Sequence, residues 1–204
     1  MTIAAILLAA GESTRMGHPK QLLEWDGSTL VAWQVRQLFE AGVEDVVVVL
    51  GHRAEEIRGA VPPKARVVIN EAYKAGRATS LRRGAEALAP ETEAVLVLGV
   101  DQPRPAWLSR LLIERWRRSR AAVVSPRFRG GNGHPVLVDG ALLGELRQVS
   151  DETLGLRAVI ERHAVETEAV EIVNDALNVD LNTPADYEAA LAAYQRGEWQ
   201  KPTE

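Results

Sequence analysis

Residues 7–20 read Leu7-Leu8-Ala9-Ala10-Gly11-Glu12-Ser13-Thr14-Arg15-Met16-Gly17-His18-Pro19-Lys20. An apolar run from Ile3 to Ala9 empties there into a loop bracketed by two glycines and carrying two cations. A short apolar run without alternation is the pattern of a strand buried on both faces, as in a parallel sheet. Gly11 and Gly17 let the backbone bend and approach a ligand closely, and Ser13 and Thr14 can turn hydroxyl and amide groups toward phosphate oxygens. Arg15 and Lys20 supply compensating charge. The stretch therefore reads as a phosphate cradle, although a solvated strand-to-helix connection has the same composition and stays open on loop chemistry alone. Two better-known loops are excluded. Gly11 to Gly17 is one residue too long for a P-loop, with His18 where its Lys would stand, and the dinucleotide pattern Gly-x-Gly-x-x-Gly is absent.

Outward from this loop, strand and helix patterns alternate. Thr29 or Ser28 can cap a helix with Val31, Val35 and Leu38 on one face, ending before Gly42. Val46 to Leu50 is a second strand, Gly51 to Ile57 opens a helix that Pro62-Pro63 ends, and Arg66 to Ile69 is a third strand. A polar loop from Asn70 runs into a helix through Leu88, and Ala94 to Gly99 leads straight into Val100-Asp101-Gln102-Pro103. Leu108, Leu111, Leu112 and Trp116 give the next helix its apolar face, and the arginines opposite them read as a solvated surface. Ala121 to Ser125 predicts a fifth strand, Arg127 to Gly133 a basic glycine-rich loop, and Gly133 to Val138 a strand of reversed direction. Ala141–Gln148 and Leu154–His163 read as helices and Val165–Val173 as a strand. Thr183-Pro184-Ala185-Asp186 has the cap, proline and acid of a helix start, with Tyr187, Leu191 and Tyr194 on the buried side. The alternation predicts a three-layer α/β/α sandwich on a mainly parallel, Rossmann-like sheet. Residues 1–197 read as one domain and 198–204 as a frayed tail.

Composition narrows the function classes. With 24 Lys and Arg against 28 Asp and Glu, the chain is mildly acidic, which argues against nucleic acid or an anionic membrane as an obligatory partner. Cysteine is absent, which excludes disulfides, thiolate metal sites and a Cys nucleophile. No basic region precedes the first apolar run and no stretch approaches the roughly 20 apolar residues of a membrane span. The expectation is a soluble, cytoplasmic protein acting on small anionic ligands.

Leu8-Ala9-Ala10-Gly11-x-Ser13-x-Arg15-Met16-Gly17-x-Pro19-Lys20 resembles the signature of the nucleotidyltransferases that make molybdenum cofactor dinucleotides, within the nucleotide-diphospho-sugar transferase fold. The double Ala before Gly11 resembles the cytidylyltransferase branch, where the guanylyltransferase branch usually has a double Gly. The resemblance implies that Lys20 and Arg15 bind the triphosphate, and that the backbone at Leu8, Ala9 and Ala10, with Gly76 and Ser80, surrounds the base. Gly99-x-Asp101-x-Pro103 matches the family's metal-binding acid, whereas Asp101 read alone could equally cap a turn before Pro103. Asn178-Val179-Asp180-Leu181-Asn182 resembles the second metal segment, with Asp180 the first choice, Asn178 its rival, Asn182 undecided and Asp186 assigned to helix capping. Gly133, His134 and Pro135 fall on the acceptor side. His18, His52 and His163 read as loop or helix-end residues, and four scattered histidines do not make a zinc site.

The implied activity is a Mg2+-dependent transfer of CMP from CTP to a molybdopterin-type phosphate, with release of pyrophosphate and a client molybdoenzyme downstream. Such a step needs alignment, charge neutralisation and a metal across the phosphates rather than a protein nucleophile. GTP as donor, a sugar or polyol phosphate as acceptor, and a non-catalytic protein that delivers a cofactor are the alternatives.

Overall fold

The computed structural model describes residues 2–174 and 178–201. The first half of the chain forms β1 (Ile3–Ala9), β2 (Glu24–Trp25), β3 (Ser28–Thr29), α1 (Leu30–Glu40), β4 (Asp45–Leu50), α2 (Ala54–Arg58), β5 (Arg66–Ile69), α3 (Arg77–Glu86) and β6 (Ala94–Gly99). The second half adds α4 (Ala106–Ser119), β7 (Val123–Phe128), β8 (Gly131–Asn132), β9 (Val136–Asp139), α5 (Leu143–Leu146), α6 (Leu156–Arg162), β10 (Thr167–Glu171) and α7 (Pro184–Gln195).

One sheet runs β10-β7-β9-β6-β1-β4-β5, with β8 paired to β7. β1 lies at its centre, parallel to β4 and to β6, because a strand without polar side chains must be covered on both faces and paired on both edges. Its side chains alternate between two cores. Ile3, Ala5, Leu7 and Ala9 join α1, α4 and α7 on one face, and Ala4 and Ile6 join α3, α5 and α6 on the other. The expected α/β/α layering is the observed one. Registers of Leu8 with Gly99 and of Ala9 with Leu50 bring the C-terminal ends of β1, β6 and β4 to one rim of the sheet. The chain leaves β1 toward β4 and β5, then returns to its other side as β6. Open α/β sheets bind ligands at such a switch point, in the crevice beyond the strand ends. No helix among the described residues is long and apolar enough to cross a membrane.

Three expectations need correction. The basic stretch 127–133 is a hairpin: β7 continues through Phe128, and Arg129 and Gly130, at φ 47° and 83°, turn the chain into β8. The reversed strand β9 starts at Val136, and Gly133-His134-Pro135 precede it through a cis His134–Pro135 bond. The C-terminal tail is not frayed from residue 198. Trp199 is only 4% exposed and packs on Trp25 and Tyr194, with ring centroids 5.5 and 5.7 Å apart. Its carbonyl accepts the indole N–H of Trp107 at 2.9 Å. Residues 202–204 of that tail lie outside the described residues. The α7 start forms as expected, a capping box between Thr183 and Asp186 with Pro184 in the first turn.

Removing a buried tryptophan costs about 3 kcal/mol or more. Trp199→Ala should therefore lower the unfolding free energy in a urea titration by an amount of that order, and truncation after residue 198 should do the same; an unchanged unfolding curve would detach the tail from the aromatic cluster.

At the end of α6, His163 Nε2 lies 2.8 Å from Glu145 Oε1, and this hydrogen bond raises the imidazole above its ordinary value. Arg162 and then His163 lower Glu145. A raised histidine stabilises the fold fully below its unfolded value, near 6.5, and loses that contribution as pH climbs through the folded value. His163→Gln should accordingly show a melting-temperature deficit near pH 5.5 that shrinks by about pH 9.

Candidate active site

The loop after β1 is built to place Lys20. Ser13 adopts a left-handed conformation at φ 54°, and its Oγ accepts the Lys20 amide N–H at 3.2 Å. Met16 is buried and anchors the turn in the core, while the Gln21 amide donates to the Ala9 carbonyl at 2.6 Å. Lys20 is thereby held with only 8% of its surface exposed. Its Nζ stands 3.5 Å from Asp101 Oδ2 and 3.3 Å from Asn182 Oδ1, and Arg15 donates to the same Asn182 oxygen at 3.1 Å. Three segments far apart in sequence meet in this cluster: the first loop, the end of β6 and the approach to α7.

A buried polar network holds the β6 end. Gln34 on α1, fully buried, donates to the Gln102 carbonyl at 2.8 Å and to that of Gly99 at 3.3 Å, and accepts from the Arg104 amide. Gln102 donates to Asp180 Oδ1 at 2.8 Å, and the Leu181 amide donates to the Asp101 carbonyl at 2.8 Å. Arg104 is 2% exposed and donates to the carbonyls of Pro103, His134 and Val179 at 2.9, 2.9 and 3.0 Å. Burial lowers its guanidinium to about 10, against the pull of Asp180 and Asp101, so it stays charged near neutrality. Both residues escaped the sequence reading. Gln34 had a signal, a polar residue on the apolar Val31–Val35–Leu38 stripe. Arg104 had none beyond standing between two prolines, which hold it extended.

The second segment closes the cavity. Gly76 sits at φ +127°, where a Cβ would stand 2.0 Å from Asp151 Oδ2, so neither the conformation nor the space admits a side chain. Asp151 Oδ2 in turn accepts the Ala78 amide at 2.9 Å. Ser80 is buried and accepts from Asn70 at 2.9 Å. Leu8, Ala10, Gly11, Ser13, Lys20, Gly76, Ser80 and Asp101, all marked by the sequence, line one cavity of about 200 Å3.

Other marked residues lie elsewhere. Ala9 faces the core. The carbonyls of Leu8, Ala9 and Ala10 already accept from Val100 N, Gln21 Nε2 and His52 N, so a base would meet only their second lone pairs. Asp180 is exposed and opens, with Asn178, into a neighbouring cavity of about 680 Å3. Asn182, undecided from sequence, is the residue that ties Arg15 to Lys20. Of Gly133, His134 and Pro135, His134 borders a cavity of about 290 Å3. Burial first, then Arg104 and Arg77, lowers its imidazole below the ordinary value and keeps it neutral at pH 7. Among the described residues no group of three or more His, Cys, Asp or Glu side chains could hold a metal. A metal would rest on Asp101 and Asp180, with phosphate and water completing its shell. Two carboxylates without nitrogen or sulfur suit a hard divalent ion such as Mg2+.

A profile of the MobA-like NTP transferase domain matches residues 5–167. The nicotine blue oxidoreductase of Paenarthrobacter nicotinovorans is 30% identical over 191 residues, 89% of this chain and 92% of its own. The molybdenum cofactor cytidylyltransferase of Escherichia coli is 26% identical over 196 residues, 94% of this chain and 97% of its own. Rv0371c of Mycobacterium tuberculosis, solved as a crystal structure, superposes with a TM-score of 0.81 at 26% identity over 94% of this chain and 98% of its own. The same protein in complex with manganese gives a TM-score of 0.77 at 25% identity, covering 95% and 100%.

Loss of the Arg104 side chain would leave buried carbonyls of three segments short of a donor, at about 1–3 kcal/mol for each unsatisfied group. Arg104→Met should therefore reduce the unfolding free energy by about 3 kcal/mol in a urea titration; a loss under about 0.5 kcal/mol, the usual range for surface changes, would mean the lacing contributes little.

Proposed function

Because the chain belongs to the family of MobA-like NTP transferase domains, we propose that it transfers CMP from CTP to a molybdopterin-type phosphate and releases pyrophosphate. The observation that carries this reading is the convergence of Lys20 on Asp101 and Asn182, at 3.5 and 3.3 Å, beside the glycine-loop cavity. A lysine so buried and so placed fits a triphosphate whose leaving end must be neutralised as the bond to the α-phosphorus breaks. The Ala9-Ala10 pair and the likeness to the Escherichia coli cytidylyltransferase support CTP over GTP.

In this mechanism the loop amides from Gly11 onward cradle the phosphates, and Lys20 and Arg15 carry compensating charge. Gln102 keeps the Asp180 carboxylate aimed, and Gln34 and Arg104 hold the strand end that positions Asp101. Mg2+, bound by Asp101 and Asp180, would supply further charge neutralisation on the phosphates. The acceptor is already anionic, so no protein nucleophile is required. A client molybdoenzyme would receive the dinucleotide.

The oxidoreductase among the relatives gives a second reading its footing. Electron transfer gives no role to the buried Lys20 set against Asp101 and Asn182, which favours the transferase.

The test is pyrophosphate release with Mg2+, molybdopterin and each of CTP, GTP, ATP and UTP. Turnover is expected with CTP and abolished by EDTA. GTP-restricted turnover would overturn the base assignment, and silence with all four, alongside a redox reaction of nicotine blue, would favour the oxidoreductase. Asp101→Asn should lower kcat by about 100-fold or more with an unchanged circular dichroism spectrum. Lys20→Ala should raise the KM for CTP and lower kcat together; an unaltered CTP titration would remove Lys20 from the triphosphate.

A further inference from the structure

The glycine-loop cavity adjoins the 290 Å3 cavity that His134 borders, and Leu8 and Arg77 line both. Arg77 is the first residue of α3 and is exposed, and its guanidinium makes no hydrogen bond or ion pair among the described residues. Its Nη2 lies 3.6 Å from the point that a Cβ on Gly99 would occupy, and Asp101 Oδ1 lies 2.5 Å from that same point. The guanidinium and the carboxylate thus both lie beside Gly99 at the end of β6 with no ion pair between them, and the N–H fork of Arg77 is available to a ligand.

The other cations near this junction are already engaged. Lys20 is held by Asp101 and Asn182, Arg104 is sealed behind His134, and Arg157 pairs with Glu161 at 2.7 Å. Leu81, one turn along α3 from Arg77, and Leu154 and Leu156 on the connection into α6 give the cavity apolar lining, beside the Asp151 carboxylate whose Oδ2 accepts the Ala78 amide. Leu154 is 58% exposed and held at φ +61°, a conformation that disfavours a branched side chain and suits glycine. An apolar side chain kept there, facing a cavity, offers a surface for a ligand to cover.

We propose that Arg77 grips the phosphate of the acceptor, and that this second cavity takes a phosphomonoester whose body presents an apolar face to Leu154. The proposal deepens the nucleotidyl-transfer reading and rests on it. In the transfer an acceptor phosphate oxygen forms a bond to the α-phosphorus, the bond from that phosphorus to the bridging oxygen breaks, and pyrophosphate departs with the electron pair. Two anions must approach within bonding reach, and a guanidinium at the junction can hold two acceptor oxygens in a fork while offsetting their repulsion. A neutral alcohol would leave that fork without a partner, so the site discriminates in favour of phosphorylated acceptors.

The experiment compares wild type, Arg77→Met and Arg77→Lys in equilibrium titrations with molybdopterin and with dephosphorylated molybdopterin, and in steady-state kinetics with CTP. Wild type should bind the phosphorylated form at least about ten-fold tighter, the worth of a charge-assisted fork. In Arg77→Met that advantage should vanish and the KM for molybdopterin should rise by about the same factor or more, with the KM for CTP within about two-fold. Arg77→Lys should fall between, and Leu154→Gly should weaken both forms alike. The proposal is overturned if the phosphate advantage survives in Arg77→Met, if the KM for CTP rises in step, or if wild type does not distinguish the two forms. Arg77-dependent phosphate discrimination without pyrophosphate release from any nucleotide would uphold the site while removing the transferase reading.

Discussion

β1 has no polar side chain, so it is stable only with sheet on both edges and helices on both faces, and its pairing with β6 fixes where every later segment can converge. With Leu8 opposite Gly99, the glycine loop and Asp101 leave the sheet side by side at the same rim. The crossover helices lie on the two faces and leave that rim open, so the charged residues gather there by default of topology rather than by any local preference. Lys20, seven residues beyond Ser13, reaches Asp101 because Ser13 takes its amide and Gln21 takes the Ala9 carbonyl, shortening the loop against the strand end.

Charge at this rim is arranged in layers. Lys20 and Arg15 share one amide oxygen, that of Asn182, which can accept from both without neutralising either. Asp101 offsets Lys20 only partly, at 3.5 Å and with 29% of its side chain exposed. The front of the cavity therefore stays cationic enough for a polyphosphate, while Arg104, buried behind, opposes the self-repulsion of Asp101 and Asp180. A buried guanidinium is tolerable here because its donors meet backbone carbonyls that would otherwise be orphaned.

What the sequence disclosed follows from the range of the interactions. The layering was legible because period and punctuation are local: β1, α1, β4, β5, β6 and α4 lie close to where apolar spacing predicts them. The place of Asp101 and of the glycine loop at the rim was legible because each directly follows a buried strand, where open α/β sheets have their crevice. Asn182 was not, since its meaning depends on two cations more than 160 residues earlier. Trp199 was misread because its burial depends on Trp25, far away in the sequence, which no local window contains. The β2–β3 hairpin was a missed signal of another sort: Asp26-Gly27, at φ 51° and 71°, is the dipeptide that a two-residue hairpin turn prefers.

The site also divides into a rigid wall and a wall under conformational tension. On the β6 side every polar group of Gln34, and the Gln102 amide, has a partner inside the protein, and a satisfied buried network permits one arrangement. Across the second cavity the connection from α5 to α6 carries Leu154 and Gly155 in succession at positive φ, with a leucine exposed and Asp151 reaching over to the first turn of α3. That carboxylate holds the connection against the segment that contains Gly76 and Arg77. Chemistry that joins two anions needs fixed carboxylates on one side and room for two bodies to enter on the other. The satisfied network thus lies behind Asp101, and the connection with a leucine at positive φ lines the second cavity beside Arg77.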